Sequence, residues 1–448
     1  MKQFETATFI NKEKLEQLTN EYQNNKINRI VRHTMSNVPI TEMAYHKDNL
    51  CNNEMIFDIE IPTMPVTNQK SSGRCWIFAA CNVLREIIAK NLKIKNFELS
   101  QSYVAFYDRL EKINYELESI IDFVDKEHDD RTLEHILSNG LCDGGQWDMF
   151  VNIIKKYGIV PKSAMPETFQ SSNTGLSNHL INACMKKFAY DAKIAYQAEG
   201  IKRVRQLKEE LLEKFYTVLL NCHGVPCQKF DFEYVDEENN YHIDKDLTPI
   251  EFYNKYIGNI LDEYVSVINS PTSDKPFYNT YTINYLGNVI EGKKITHLNV
   301  PMERLTELAL NQIKNKEITW FGSDCGKYAS RTDGIWDDLS FDYEVLFGLD
   351  YNFTKEAGLD YKASVMNHAM VLTGVALKNG QPTKWKVENS WGPSAGINGY
   401  YVMTQSWFDR FVYQIVINKK YLTSEELKAF EKEPIVLKPW DPMGSLAD

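Results

Sequence analysis

The sequence contains no long apolar run, and no window approaches the ~20 apolar residues that a membrane-spanning helix requires. Residues Met1–Thr6 read MKQFET, and the hydrophobic region of a secretion signal is missing from this end of the sequence. These absences argue against integral membrane proteins and conventionally exported proteins. We therefore expect a cytoplasmic protein without a membrane partner.

The chain also has fewer basic than acidic residues. The chain has 50 Lys and Arg residues against 61 Asp and Glu residues, which gives a formal net charge of −11. Nucleic-acid binding rests on basic patches, so we expect no nucleic-acid partner. The 448 residues suffice for two or three domains or for one enlarged fold.

The cysteines do not predict a disulfide framework. Eight cysteines in a chain of this length, without a secretion signal, predict reduced thiols. Cys222 and Cys227 flank His223, but no second Cys/His pair stands at the spacing of a zinc finger. We therefore predict no metal site.

The most informative stretch runs from Gln69 to Glu86, where a glutamine precedes a cysteine by six residues. An apolar, helical run follows Cys75, and a helix N-terminus stabilises a thiolate. Ser71–Gly73 can form the turn that starts this helix. The side-chain amide of Gln69 and the backbone N–H of Cys75 can then hold an oxyanion. A lone cysteine is more often a buried apolar residue, which is our interpretation of Cys81.

A base for such a nucleophile is found near the C-terminus. Met366–Val375 reads as a buried strand that contains His368, Asn379-Gly380 marks a hairpin turn, and Trp385–Gly392, which contains Asn389, reads as the returning strand. The two side chains fall nearly opposite each other, although a longer loop would change the register. Asn389 can accept from one ring nitrogen of His368 and leave the other facing Cys75, with Trp391 as a shield. We interpret the other eight histidines as structural: His33, His46, His128, His135, His179, His223, His242 and His297.

These residues carry a family resemblance. Gln69, Cys75-Trp76, Asn367–Ala369 and Asn389–Gly392 resemble the papain-like cysteine peptidases. Further segments resemble the bleomycin hydrolase and bacterial aminopeptidase C branch, namely Glu98–Gln101, Asp143–Met149, Tyr157–Pro161, Asp274–Pro276, Trp320–Gly322 and Trp440–Gly444.

The resemblance implies an α+β, papain-like fold in which a helical half and a β-barrel-like half enclose a cleft. It implies Cys75 as nucleophile, His368 as general base and acid, Asn389 as the residue that orients His368, and Gln69 as oxyanion donor. It requires neither a metal nor an organic cofactor. The substrate-binding residues it implies are Gly144, Gly145, Asn367, Trp391, Ala447 and Asp448.

We expect residues 1–448 to form one enlarged peptidase domain. Residues Leu176–Leu219 are charged and helical by pattern, and Cys222–Tyr241 read as short strands. Papain-sized enzymes need neither, and the resemblance implies a homohexamer. The predicted segments are an N-terminal arm (1–60), a helical half with the nucleophile helix (61–175), an insertion for oligomer contacts (176–280), a β-rich half with His368 and Asn389 (281–434) and a C-terminal arm (435–448).

The C-terminal arm is apolar, and its two prolines and one glycine between residues 435 and 448 exclude a regular helix. The resemblance implies that it lies in the cleft, blocks the subsites beyond the first residue and turns its terminal carboxylate toward the substrate's α-ammonium. The family pattern commonly ends near the position of Ala447. Asp448 follows it here, so the anchoring residue is left open between the two.

The predicted function is that of a cysteine aminopeptidase, which removes N-terminal residues from peptides with a free N-terminus through an acyl-thioenzyme. Hydrolysis of bleomycin-type amides would be a side activity of the same site. Two alternatives stay open: a papain-like endopeptidase, and an assembly or binding protein with incidental activity. A transamidase would use the same triad but needs a deep, dry acyl pocket.

Overall fold

The computed structural model describes residues 7–447. The α-helices of this range are α1 (Lys12–Asn24), α2 (Lys26–Met35), α3 (Ile40–Ala44), α4 (Cys75–Leu92), α5 (Gln101–Asp122), α6 (Arg131–Asn139), α7 (Trp147–Tyr157), α8 (Gly175–Glu199), α9 (Ile201–His223), α10 (Pro249–Tyr256), α11 (Met302–Lys314), α12 (Tyr343–Phe347), α13 (Lys355–Asp360), α14 (Gln405–Phe411) and α15 (Ser424–Ala429).

The strands of the same range are β1 (Ile59–Glu60), β2 (Phe230–Val235), β3 (Tyr241–Leu247), β4 (Tyr264–Ile268), β5 (Thr280–Ile283), β6 (His297–Asn299), β7 (Thr319–Ser323), β8 (Ala329–Ser330), β9 (Ile335–Trp336), β10 (His368–Lys378), β11 (Gln381–Glu388), β12 (Tyr400–Thr404), β13 (Val412–Asn418) and β14 (Ile435–Leu437). Twelve of them form one sheet in the order β14-β5-β6-β4-β13-β7-β10-β11-β12-β9-β8, with β1 paired to β10, while β2 and β3 form a separate hairpin.

The chain divides into two compact units. Among the described residues, the first unit consists of 7–49 with 339–352, and it contains α1, α2, α3 and α12. Asn11 and Asn25 cap α1 and α2 by accepting backbone N–H groups. In the same unit, the rings of Tyr45 and Phe341 pack with centroids 5.1 Å apart. The second unit consists of 50–338 with 353–447 and contains all the strands.

The N-terminal part of helix α4 is buried on all sides. Its first two turns, Cys75–Cys81, are at most 4% exposed at any residue. A helix that is apolar all round belongs inside a protein, as the sequence predicted. The helix packs on α5 and on β10, and it ends where Lys93 adopts a left-handed conformation, with φ of 53°.

The hairpin of β10 and β11 has a two-residue turn. Lys378 pairs with Gln381, and Asn379 and Gly380 adopt φ values of 53° and 79°. Both are left-handed, which is why Asn-Gly is favoured at this turn. The loop is therefore not lengthened beyond the turn. Two register shifts further along cancel each other, so Val371 lies opposite Glu388 as the turn alone would place it, and Asn389 emerges beside the start of β10.

Helices α8 and α9 fold back on one another at Gly200, whose φ is 74°. Both pack against α5, and the β2–β3 hairpin follows them. These are the helical and strand elements predicted for residues 176–280. Within residues 7–447, no helix combines the length and the apolar character needed to cross a membrane.

Candidate active site

Cys75 is the first residue of α4, and a tightly held turn precedes it. Arg74 makes two hydrogen bonds of 3.0 Å with the carboxylate of Glu167. The backbone N–H of Gly73 donates to Asp143 Oδ2 at 2.9 Å. Because the turn is fixed at both residues, the position of the Cys75 thiol at the helix N-terminus is fixed as well.

The sulfur of Cys75 accepts the backbone N–H of Ala369 at 3.4 Å. Ala369 follows His368 on β10, so the nucleophile helix and the histidine strand meet at this contact. Burial raises the pKa of the Cys75 thiol to about 11, against the backbone N–H groups of Ala369, Trp76 and Cys75, which lower it. Burial therefore favours the protonated thiol, and a neighbouring base would be needed to form the thiolate.

His368 is buried and oriented by Asn389. The amide Oδ1 of Asn389 accepts from His368 Nε2 at 2.8 Å and from the backbone N–H of Ser390 at 2.8 Å. Since Nε2 carries the donated proton, Nδ1 of the neutral ring is the free base. Burial lowers the pKa of His368 to about 4, although the bond to Asn389 raises it. Burial thus favours the neutral form of both catalytic groups.

Trp391 covers the His368–Asn389 pair. Its ring stacks on the His368 ring with centroids 4.9 Å apart and planes 26° apart. Tyr401 packs edge-on against the same indole, at 5.9 Å. The stacked indole reduces the access of water to the hydrogen bond between His368 and Asn389.

Gln69 is fixed on both sides of its side-chain amide. Nε2 donates to the backbone O of Ser72 at 2.6 Å, and Oε1 accepts the hydroxyl of Ser390 at 2.6 Å. The backbone N–H of Gln69 also donates to the Ser390 O at 2.8 Å. One proton of Nε2 is left over, because a primary amide has two. The geometry therefore leaves one N–H of the Gln69 side-chain amide available to donate.

The C-terminal arm ends against the helical half. Pro442–Ala447 forms a 3₁₀ helix, and the O of Leu446 accepts the backbone N–H of Gly145 at 3.0 Å. The thiol of Cys142 donates to the O of Ala447 at 2.8 Å. On the other side, Ser445 Oγ donates to the O of Met366, two residues before His368, at 2.7 Å.

Two predicted glycines have different neighbours. A Cβ at Gly144 would collide with Leu446 O and approach Ala447 Cα to 3.1 Å. A Cβ at Gly145 would instead collide with the indole of Trp76, the residue after Cys75. Gly144 thus makes room for the arm, and Gly145 makes room for the nucleophile helix.

Asn367 and Asp448 are the two predicted binding residues that remain. Asn367 is exposed, but its side chain donates to Asp324 Oδ1 at 2.7 Å and accepts the backbone N–H of Cys325 at 3.0 Å. It therefore holds the loop after β7. Asp448 lies outside the described residues.

Comparison with known proteins identifies the family. The family model of the Peptidase C1-like family matches residues 9–444. The chain belongs to this family. Aminopeptidase C of Lactobacillus helveticus is 42% identical over 98% of this chain and 99% of its own. Bleomycin hydrolase of Gallus gallus is 39% identical over 88% of this chain and 89% of its own.

A solved structure agrees with this assignment. The crystal structure of PepW from Lactobacillus rhamnosis HN001 has a TM-score of 0.95 and 44% identity, and it covers 98% of this chain and 99% of its own. These findings confirm the predicted papain-like fold class and the branch of aminopeptidase C and bleomycin hydrolase. They also confirm a cysteine aminopeptidase as the class of enzyme.

The peptidase also has a buried polar bridge that our sequence analysis missed. Glu388 Oε1 accepts from Asn82 Nδ2 and from Arg85 Nη2, both at 2.9 Å. Arg85 further donates to the backbone O of Met64 and Pro65, at 3.2 and 3.0 Å. The bridge joins the Cys75 helix, the segment before Gln69 and the strand before Asn389. A charged residue within an apolar helix, and another within an apolar strand, were the available signals.

We expect Arg85→Met to lower the free energy of unfolding by about 3–5 kcal/mol, because it leaves the buried Glu388 carboxylate uncompensated. Burial already raises the pKa of Glu388 from 4.5 to about 6 with Arg85 present. As the pH rises past 4.5, Glu388 ionises in the unfolded chain before it ionises in the folded protein. The stability that the protonated Glu388 contributes is therefore lost as the pH rises from 4.5 through the folded pKa of about 6. The loss should therefore be larger at about pH 7.5 than at about pH 5 in urea unfolding.

Glu388→Gln is the matched control. Its amide oxygen still accepts from Asn82 and Arg85, and the amide resembles the protonated acid that burial favours. We expect a smaller loss of stability than for Arg85→Met. Equal losses, or a loss in Arg85→Met that does not change with pH, would contradict the role of this bridge.

No group of three His, Cys, Asp or Glu side chains in the range 7–447 is arranged to hold a metal ion. His223, which we considered as a ligand with Cys222 and Cys227, is buried, and burial lowers its pKa to about 3. Its ring packs edge-on against Phe106, with centroids 6.2 Å apart.

Proposed function

We propose that the enzyme removes single residues from peptides with a free N-terminus, and that its C-terminal arm imposes this restriction. The observation that carries the proposal is the docking of Leu446 and Ala447 on Cys142–Gly145, beside Trp76. An extended peptide would need the surface that the arm covers. A substrate whose chain ends before the arm does not.

Catalysis begins when Cys75 transfers its proton to His368 Nδ1 and attacks the first peptide carbonyl. The carbonyl oxygen becomes an oxyanion, which the Gln69 amide and the Cys75 N–H stabilise. His368 then protonates the leaving amine, and a thioester remains on Cys75. His368 next takes a proton from water as the hydroxide attacks the thioester. The C–S bond then breaks, the free amino acid leaves, and His368 returns its proton to the Cys75 thiolate.

Asn389 and Trp391 act on His368 in this scheme. The Asn389 acceptor holds the proton on Nε2, so Nδ1 is the nitrogen that exchanges a proton with Cys75. The imidazolium that forms keeps this bond, which favours the charged ring. Gly144 and Gly145 line the wall of the cleft on the side of the arm, and Asn367 acts through the loop that it holds.

Recognition of the amine would come from the end of the arm. A terminal carboxylate at Ala447 or Asp448 attracts an α-ammonium group and leaves a blocked amine without a partner. Because a polar partner is lost when the amine is blocked, discrimination against acetylated substrates should be strong. Amides of the bleomycin type, which a named relative hydrolyses, would use the same chemistry.

Exposed apolar side chains support the proposed homohexamer. Those of α1, α2 and α8 are Leu15, Leu18, Tyr22, Ile27, Ile30, Leu176, Leu180, Tyr190, Ile194 and Tyr196. Apolar side chains clustered on exposed helices favour subunit contacts. A cytoplasmic setting agrees with the eight free thiols, all of which lie among the described residues.

The test compares two fluorogenic aminoacyl amides that differ only in acetylation of the amine. We expect the intact enzyme to turn over the free-amine substrate at least roughly 100-fold faster. Equal turnover of both would make the protein an endopeptidase. Turnover of neither would favour the assembly or binding function.

A further inference from the structure

Arg331 lies in the turn between β8 and β9, beside Trp391, the residue that covers His368. Its guanidinium carbon is 4.6 Å from the ring centroid of Trp391, the indole that stacks on His368. The backbone O of Arg331 accepts the N–H of Gly396 at 3.2 Å, which anchors the turn. The side chain is exposed, and its guanidinium lies over the indole of Trp391.

The guanidinium has a stacking partner but no ion-pair partner within residues 7–447. The nearest acid in its own turn, Asp333, accepts instead from Ser330 Oγ at 2.8 Å. A guanidinium that lies over an aromatic ring keeps N–H groups that can donate two parallel hydrogen bonds. A planar donor pair of this kind matches a carboxylate.

Arg331 lies on the side of the site where the residue that carries the leaving amine would bind. His368 must protonate the leaving amine, so the residue that carries this amine lies beside His368 and its cover, Trp391. The described part of the arm instead touches Cys142–Gly145 and Met366. The substrate residue after the scissile bond therefore faces Arg331, and this step rests on the proposed function.

We propose that Arg331 and Trp391 form a subsite that binds a carboxylate on the residue after the scissile bond. The carboxylate has two possible sources. In a dipeptide it is the α-carboxylate, whose carbon lies about 2.5 Å from the leaving nitrogen by covalent geometry. In a longer peptide it is the side chain of Asp or Glu at the second position.

Electrostatics supports the same location. The charge of Arg331 lowers the pKa of His368, after the larger effects of burial and of the bond to Asn389. The field of the guanidinium thus reaches the catalytic pair. A bound carboxylate would offset this charge and favour the imidazolium that protonates the leaving group.

The experiment measures kcat/KM for peptides that share one N-terminal residue with a free amine. The second residue is Ala-amide, Ala with a free carboxylate, Gln-amide, Glu-amide or Lys-amide. In the intact enzyme, we expect one or both carboxylate substrates to exceed their neutral partners by roughly three- to tenfold. A gain with Ala carboxylate identifies the dipeptide terminus as the ligand, and a gain with Glu-amide identifies the side chain.

The variants test the residue itself. Arg331→Gln should remove the preference, and Arg331→Glu should reverse it toward Lys-amide. Arg203→Gln removes one positive charge from α9, where Arg203 pairs with Glu210, and should leave all ratios unchanged.

Two outcomes separate this inference from the proposed function. If the intact enzyme cleaves the neutral peptides but its carboxylate ratios equal those of Arg331→Gln, the subsite is wrong and the aminopeptidase stands. If the intact enzyme cleaves none of the free-amine peptides, the proposed function fails, and the subsite fails with it.

Discussion

Replacing Cys75 by Ala is expected to reduce turnover of a free-amine aminoacyl amide by roughly 10⁴-fold or more, the scale seen when a catalytic nucleophile is deleted. The thiol lies at the N-terminus of α4 and accepts the N–H of Ala369. Without the thiol no tetrahedral intermediate forms, so the oxyanion donors have no oxyanion to stabilise. Substrate affinity should change little, because the walls of the cleft stay in place. Single-turnover kinetics would separate the two effects.

Cys81 supplies the matched control. It lies on the same helix, is fully buried, and has its pKa raised by burial. Cys81→Ala removes a thiol of the same helix without touching the proposed catalytic groups, so it should lower stability by about 1 kcal/mol and leave kcat unchanged. If Cys75→Ala kept a tenth of the activity, or if Cys81→Ala lost as much, Cys75 would not be the nucleophile.

Local patterns predicted the central parts of this fold well. Asn379-Gly380 predicted a hairpin because only a few residue pairs accept left-handed conformations at both positions, and both adopt them here. The apolar run after Cys75 predicted a buried helix for a similarly local reason. The position of Asn389 beside His368 followed once the turn was known to have two residues.

Contacts between distant segments were beyond local patterns. The bridge of Arg85 and Glu388 spans 303 residues of sequence, and neither position has a local signature beyond its charge. The grouping of residues 339–352 with residues 7–49 is equally distant in sequence. The resemblance implied that Asn367 binds substrate, and its bonds to Asp324 and Cys325 join it to a loop 42 to 43 residues away in sequence.

Removing residues 446–448 is expected to let the enzyme cleave acetylated substrates, with a gain of roughly 100-fold or more in their turnover relative to free-amine substrates. Leu446 and Ala447 are 3% and 6% exposed, and they occupy the N–H of Gly145 and the thiol of Cys142. Deleting them frees this surface for an extended peptide backbone. The same deletion moves the terminal carboxylate back to Ser445, away from the position that would face the substrate amine, so kcat/KM for free-amine substrates should fall.

Gly144→Ala tests the arm without shortening the chain. The added methyl group would collide with Leu446 O, so it should displace the arm and shift the selectivity in the same direction as the truncation. Gly175→Ala is the matched control, because an added Cβ there meets nothing within 4 Å. If both the truncation and Gly144→Ala still rejected acetylated substrates while they cleaved free-amine ones, the restriction would lie in the walls of the cleft, and the arm would have no part in choosing the substrate.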